Sequence, residues 1–172
     1  VGFNGLKTDK IPWFLGRAVV TSIATVGYFY ALAKIPLADA VAVMFTRPLY
    51  GTIFAIVFLG EIVGLRRWTA LIVGFIGVVV MVRPGFAIFN IGLASVFVAS
   101  IAGAGSAIFI RYLTRTEAPD AITMYYVLFT TPVMLILALF VWQTPTWHEL
   151  GWLFFTGLVG TLGQRAMARG FA

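Results

Sequence analysis

The chain has no cysteine and a single histidine in 172 residues. Without cysteine there is no disulfide framework, no thiolate nucleophile and no thiolate metal site. His148 opens "HELGW", which is not the zinc motif H-E-x-x-H, because its fifth residue is Trp152. Charge is scarce too: 10% of residues are charged, where soluble domains carry about 25%. The acids Asp9, Asp39, Glu61, Glu117, Asp120 and Glu149 all fall in loops or at the ends of apolar runs. They form no carboxylate pair suited to general acid–base work and no metal-ligand cluster. "GAGSA" at Gly103–Ala107 is neither a G-x-S-x-G elbow nor a phosphate-binding loop. These absences argue against an enzyme and call for no metal or cofactor.

Apolar residues are abundant, at 61% of the chain. A soluble fold of this size would expose far too much apolar surface. The chain therefore reads as an integral membrane protein with the lipid bilayer as its solvent. The net charge of +6 sits between apolar runs. Membrane topology accounts for that placement better than nucleic-acid binding does. The sequence starts at Val1 without a signal peptide, and "RAMARGFA" ends inside an apolar run. It reads as an internal piece of a longer protein.

Six runs approach the 20 or so helical residues that a bilayer requires. They are Pro12–Lys34, Asp39–Gly60, Trp68–Arg83, Ile91–Leu113, Ala121–Trp142 and Leu150–Ala172. They are too long for strands and lack period-two alternation, so the expected fold is an all-α polytopic bundle. Pro36, Pro84, Pro119 and Pro145 fall in the connecting turns, and His148 at a loop. Asp39 and Asp120 are the expected N-caps. Lys7, Lys10, Arg17, Arg66, Arg67, Arg111 and Arg115 fall in one set of connections, against Lys34 and Arg83 in the other. That bias places the amino-terminal loop in the cytoplasm. Trp13, Trp68, Trp142 and Trp147 sit near the expected interfaces.

"TVGYFYALA" (Thr25–Ala33) is similar to "TLGQRAMAR" (Thr161–Arg169), about 136 residues further on. The two spans run in opposite directions, as in the inverted repeats of secondary transporters. A complete two-copy protein would then hold on the order of 280–300 residues and ten helices. Two helices would precede Val1 and two would follow Ala172.

The stretch from "YFYALAKIPLADA" through "VMFTRPLYG" and "FLGEIVGLRRW" to "GFIGVVVMVRPG" resembles an EamA repeat of the drug/metabolite transporter superfamily. The elements are Pro36–Ala40, Pro48, Leu59–Glu61, Arg67–Trp68 and Gly74–Val78. "GLASVFVASIAGAGSAIFIRYLTR" and "GTLGQRAMARGFA" stand for the second copy. The resemblance implies a ten-helix fold of five plus five. Residues 1–85 would carry helices three to five, and residues 86–172 helices six to eight. It implies a secondary transporter of a small-molecule solute, an amino acid or related compound, by alternating access. Export is the expected direction and a bacterial inner membrane the expected location, with room for a homodimer. The rival readings are a non-transporting membrane assembly or scaffold protein, and an intramembrane enzyme whose catalytic groups lie outside this chain.

Polar residues at helical spacing point to a lined cavity or to helix packing. The candidates for contact with solute are Thr25, Tyr28, Arg47, Pro48, Tyr50, Ser106, Tyr126 and Gln164. Arg47 stands apart, lying within roughly 5 Å of the middle of its run at about 1.5 Å per residue. An unpaired charge there costs at least ~2.5–3.5 kcal/mol. It must meet solute, water, carbonyls freed by Pro48, or a carboxylate on a helix outside this chain. Pro48 cannot donate to the carbonyl of Met44, so a kink is expected. Pro132 poses the same question in the fifth run. Glu61 beside Arg66 and Arg67 is a structural pair or a gate. Arg165 is expected to reach the inner interface by its long stem.

Overall fold

Where each helix starts and stops is decided by residues with little choice of backbone. The computed structural model describes residues 8, 10–82 and 90–171. The side chains of 81, 82 and 171 are outside that description, as are Lys7, Asp9, Arg83 and Pro84. Among the described residues there are seven helices and no strand: α1 (Ile11–Leu32), α2 (Leu37–Met44), α3 (Arg47–Leu59), α4 (Leu65–Val82), α5 (Ile91–Leu113), α6 (Pro119–Leu139) and α7 (Trp147–Phe171). They occupy the six expected runs, with the second run split in two. By length and composition, Ile11–Leu32, Leu37–Leu59, Ile91–Leu113 and Pro119–Leu139 can each cross a membrane. The protein is a multi-pass, all-helical membrane protein.

The caps differ from expectation. Pro36 and Ala118, not Asp39 and Asp120, occupy the N-cap positions of α2 and α6. Both hold the extended backbone usual at an N-cap, with ψ near 140°, and neither makes a side-chain cap hydrogen bond. The two aspartates lie in the first turn instead, where a carboxylate suits the positive end of the helix dipole. Pro119 is accordingly a first-turn residue of α6, where its missing N–H costs nothing. Asn90 caps α5, its side-chain oxygen accepting the Leu93 N–H at 2.9 Å. Thr146 and Glu149 form a reciprocal capping box at the start of α7, with Thr146 N–H donating to Glu149 Oε2 at 2.7 Å and Glu149 N–H reaching Thr146 Oγ1 at 3.4 Å. His148 is therefore helical, and its Nε2 accepts the Trp152 indole N–H at 3.0 Å.

The second run is broken, not merely kinked. α2 stops at Met44, Phe45 and Thr46 form a turn, and α3 restarts at Arg47 with Pro48 in its first turn. Proline in a helix interior clashes with the preceding turn, whereas in a first turn it is tolerated. The sequence resolves that conflict by ending one helix and beginning another. The carbonyl of Val43 gathers the local donors: Thr46 N–H at 2.9 Å, Thr46 Oγ1 at 2.6 Å and Ser100 Oγ of α5 at 3.4 Å. Pro132 has no such effect, and α6 runs through it.

The contacts divide the chain into two compact units, Val1–Ala18 with Phe109–Ala172, and Val19–Ile108. In the first, Phe14, Ile110, Leu113, Ile122 and Ala168 form a buried apolar cluster. In the second, Ala31, Ile35, Ala40, Val43 and Val96 do so. Much of the remaining apolar surface of the helices is exposed, including Leu153, Phe154 and Phe155 on α7. That is the composition a helix presents to hydrocarbon.

Candidate functional site

In the Val19–Ile108 unit the break itself positions Arg47. The residue opens α3, so its side chain leaves the backbone just after a turn held by Thr46 and Ser100. The chain then lies across α5 at Gly103. A Cβ built on Gly103 would stand only 2.5 Å from Arg47 Cζ and 2.6 Å from Nε and Nη2. The guanidinium therefore rests on the bare backbone of α5. Arg47 Nε is buried and has no hydrogen-bond partner among the described residues. No carboxylate among them stands within ion-pair distance of it.

The other candidates in this unit fall into different surroundings. Pro48 does not share Arg47's setting. It lines an apolar cavity of about 320 Å³ with Ala42, Thr46, Leu71, Gly74 and Val78, on the side of the break that meets α4. Ser106 shares a hydrogen bond with Thr21 at 2.7 Å. Thr25 donates to the Thr21 carbonyl of its own helix at 2.9 Å. Both hydroxyls are thus satisfied by packing contacts. Tyr50 is half-buried on α3. At the far end of α3, Gly60 adopts φ +66°, and the Glu61 N–H turns back to the Ala55 carbonyl at 3.2 Å. This left-handed residue is why "LGE" ends the helix. It leaves Glu61 facing Arg67, at 4.0 Å.

In the unit formed by Val1–Ala18 and Phe109–Ala172, Tyr126 and Gln164 meet a residue that the sequence reading misplaced. Arg17 is not a loop charge. It lies inside α1 with 2% of its surface exposed. Its Nη1 donates to the Ile122 carbonyl at 3.0 Å and its Nη2 to Gln164 Oε1 at 3.1 Å. Its guanidinium lies over the Tyr126 ring, 4.6 Å from the centroid. Arg17 Nε, like that of Arg47, has no partner among the described residues. Arg165 does not simply reach outward. Its Nε donates to Asp120 Oδ1 at 2.6 Å, and Arg169 approaches the same oxygen at 3.9 Å. Asp120 thus joins α6 to α7 where a cap was expected. Among the described residues there is no cluster of three or more acids or histidines able to hold a metal.

Discontinuous helices occur at the solute sites of secondary transporters, and α2–α3 is a discontinuous run. Residues 2–83 match the EamA-like transporter family. Across 98% of its length the chain is 31% identical to a protein named riboflavin transporter from Vibrio cholerae, covering 57% of that protein. Residues 2–83 belong to the EamA-like transporter family.

Two other relatives of the EamA chain carry different names. It is 30% identical over 94% of its length to an S-adenosylmethionine uptake transporter from Rickettsia bellii, covering 55% of that protein. It is 30% identical over 97% of its length to a pseudopaline exporter from Pseudomonas aeruginosa, covering 60% of that protein. The chain thus spans a little over half the length of the curated relatives it matches. No solved structure matches it. In the structure "LGE" ends α3 through Gly60, and the basic "RRW" that follows supplies Arg67 to the Glu61 carboxylate.

Proposed function

We propose that the protein works as a secondary transporter of a small metabolite by alternating access, and that Arg47 meets an anionic or zwitterionic group of the cargo. The observation that carries this reading is the state of Arg47: a cation in an apolar helix, with no carboxylate partner among the described residues. A guanidinium presents a planar fork suited to a carboxylate. Relatives named for uptake and for export both occur, so they leave the direction open. Export remains our reading, in a bacterial inner membrane, with α4 and α7 crossing it as well. The family match ends at residue 83, close to the boundary at 85. This supports residues 1–85 and 86–172 as parts of two inverted repeats. Glu61 with Arg67 acts in this scheme as a structural pair at the rim.

The test is solute flux in proteoliposomes, with labelled riboflavin, S-adenosylmethionine and a mixture of amino acids. Saturable flux of S-adenosylmethionine or of an amino acid is expected, with riboflavin as the uncharged comparison. Arg47→Gln should lower it by about 10–150-fold, the equivalent of a charged hydrogen bond at about 1.5–3 kcal/mol. Unchanged flux in a folded, inserted Arg47→Gln protein overturns the role of Arg47. Flux of none of these solutes, or of riboflavin alone, overturns the reading of the cargo.

A further inference from the structure

The guanidinium of Arg47 is fixed at both ends. Its Cα follows the turn at Phe45–Thr46, which Thr46 and Ser100 clamp through the Val43 carbonyl. Its tip lies on Gly103, where the three heavy atoms nearest to a built Cβ all belong to the guanidinium. At 2.5–2.6 Å even the methyl of alanine cannot coexist with that pose, because packed carbons keep about 3.5–4.0 Å apart. Gly105 offers the contrast on the same helix. A Cβ there would meet Val20 at 3.4 Å and Phe54 at 3.9 Å, which is ordinary packing distance. Only Nε of Arg47 is sealed without a partner. The Nη nitrogens also have no hydrogen bond among the described residues, yet they are not sealed.

We infer that Gly103 is the positioning and specificity-determining residue of the Arg47 site. By lacking a side chain it seats the guanidinium flat on α5, so that Nε is covered and the Nη edge is presented to a planar anion such as a carboxylate. The inference rests on the reading that Arg47 meets cargo. Its chemistry is nonetheless separable, because the seat exists whether or not cargo is present. Any side chain at position 103 displaces the guanidinium, and with it the preference for an anionic group.

The experiment is arginine modification by phenylglyoxal in membranes containing the whole protein, followed by peptide mass analysis. Gly103→Ala should raise modification at Arg47 at least about fivefold relative to Arg67, about 1 kcal/mol at 1.4 kcal/mol per tenfold, a cost within the range of overpacking. Gly105→Ala should leave it unchanged. In the flux assay, Gly103→Ala should raise KM more than it lowers the maximal rate, and should add nothing in the Arg47→Gln background. Should Gly103→Ala lower the folded yield, adding Arg47→Ala restores it, since the clash is with the guanidinium. Unchanged or reduced labelling at Arg47, or no restoration of yield, overturns the inference. If flux is insensitive to Arg47→Gln while labelling responds to Gly103→Ala, the cargo reading has failed and the seat stands. If flux responds to Arg47→Gln but labelling ignores Gly103→Ala, the seat alone has failed.

Discussion

Replacing Arg17 sets two effects of similar size against each other. The side chain holds two interhelical hydrogen bonds, to the Ile122 carbonyl and to Gln164, and lies over Tyr126. Polar contacts between membrane helices contribute about 0.6 kcal/mol on average and about 1.7 at most, so the pair contributes roughly 1–3 kcal/mol. The cation–π contact adds about 0.5–2 kcal/mol. Against this stands a buried charge whose partners among the described residues are all neutral, costing up to about 2.5–3.5 kcal/mol, the figure for a helix centre. Arg17→Met removes both sides of the balance, so its stability should stay within about 1 kcal/mol of wild type. Arg17→Lys keeps the charge and loses the planar fork that reaches two helices at once. It should cost about 2 kcal/mol or more. The substitution that conserves charge is therefore the damaging one. Denaturant unfolding of the detergent-solubilised protein measures both. A double-mutant cycle with Gln164→Leu should give a coupling of about 0.6–1.7 kcal/mol. The reasoning is refuted if lysine retains wild-type stability while methionine loses several kcal/mol, or if the coupling with Gln164 is nil.

Two further outcomes test helix ends. Gly60→Ala forces a side chain into the left-handed region at φ +66° and should destabilise the protein by about 1–2 kcal/mol, read as a lower unfolding midpoint. Glu149 is held below its ordinary carboxylate range by the Thr146 N–H and then by the Thr146 hydroxyl. A carboxylate depressed on folding contributes stability above its unfolded value near 4.5. That contribution is lost as pH falls through the lower folded value. Amide exchange in the first turn of α7 should accelerate in that acid window, and Thr146→Ala should remove most of the pH dependence.

The six apolar runs were legible because twenty apolar residues in water have few fates, and the helices follow them. Element ends were less legible. "TWHE" carries a capping box, whereas Asp39 and Asp120 match the commoner signal, a short polar side chain before an apolar run, without capping their helices. At the second run, the sequence predicts an interior kink at Pro48. The structure places it in a first turn, since Thr46 and Ser100 can satisfy the Val43 carbonyl and make a full break stable. No sequence pattern announces Ser100 as a partner fifty-seven positions away. The candidate site was half legible. Arg47 stood out by depth alone, whereas Gly103 carries no signal without knowing which side chain crosses α5.

Arg17 shows why depth was not enough. It follows Lys7 and Lys10, so it counted with the cytoplasmic charges. That expectation of orientation does not need it, since Lys7, Lys10, Arg66, Arg67, Arg111 and Arg115 still oppose Lys34 and Arg83. What separates Arg17 from Arg47 is the company each keeps. Arg17 is 2% exposed and committed to a carbonyl, an amide and a ring on α6 and α7, so no edge is left for a solute to take. Arg47 is half-buried and committed to a backbone surface that offers it no acceptor. A buried cation held by neutral protein groups is a fastening between helices. A cation whose seat supplies no acceptor still needs one, and an anionic group on a passing solute is the partner that would meet that need and then leave.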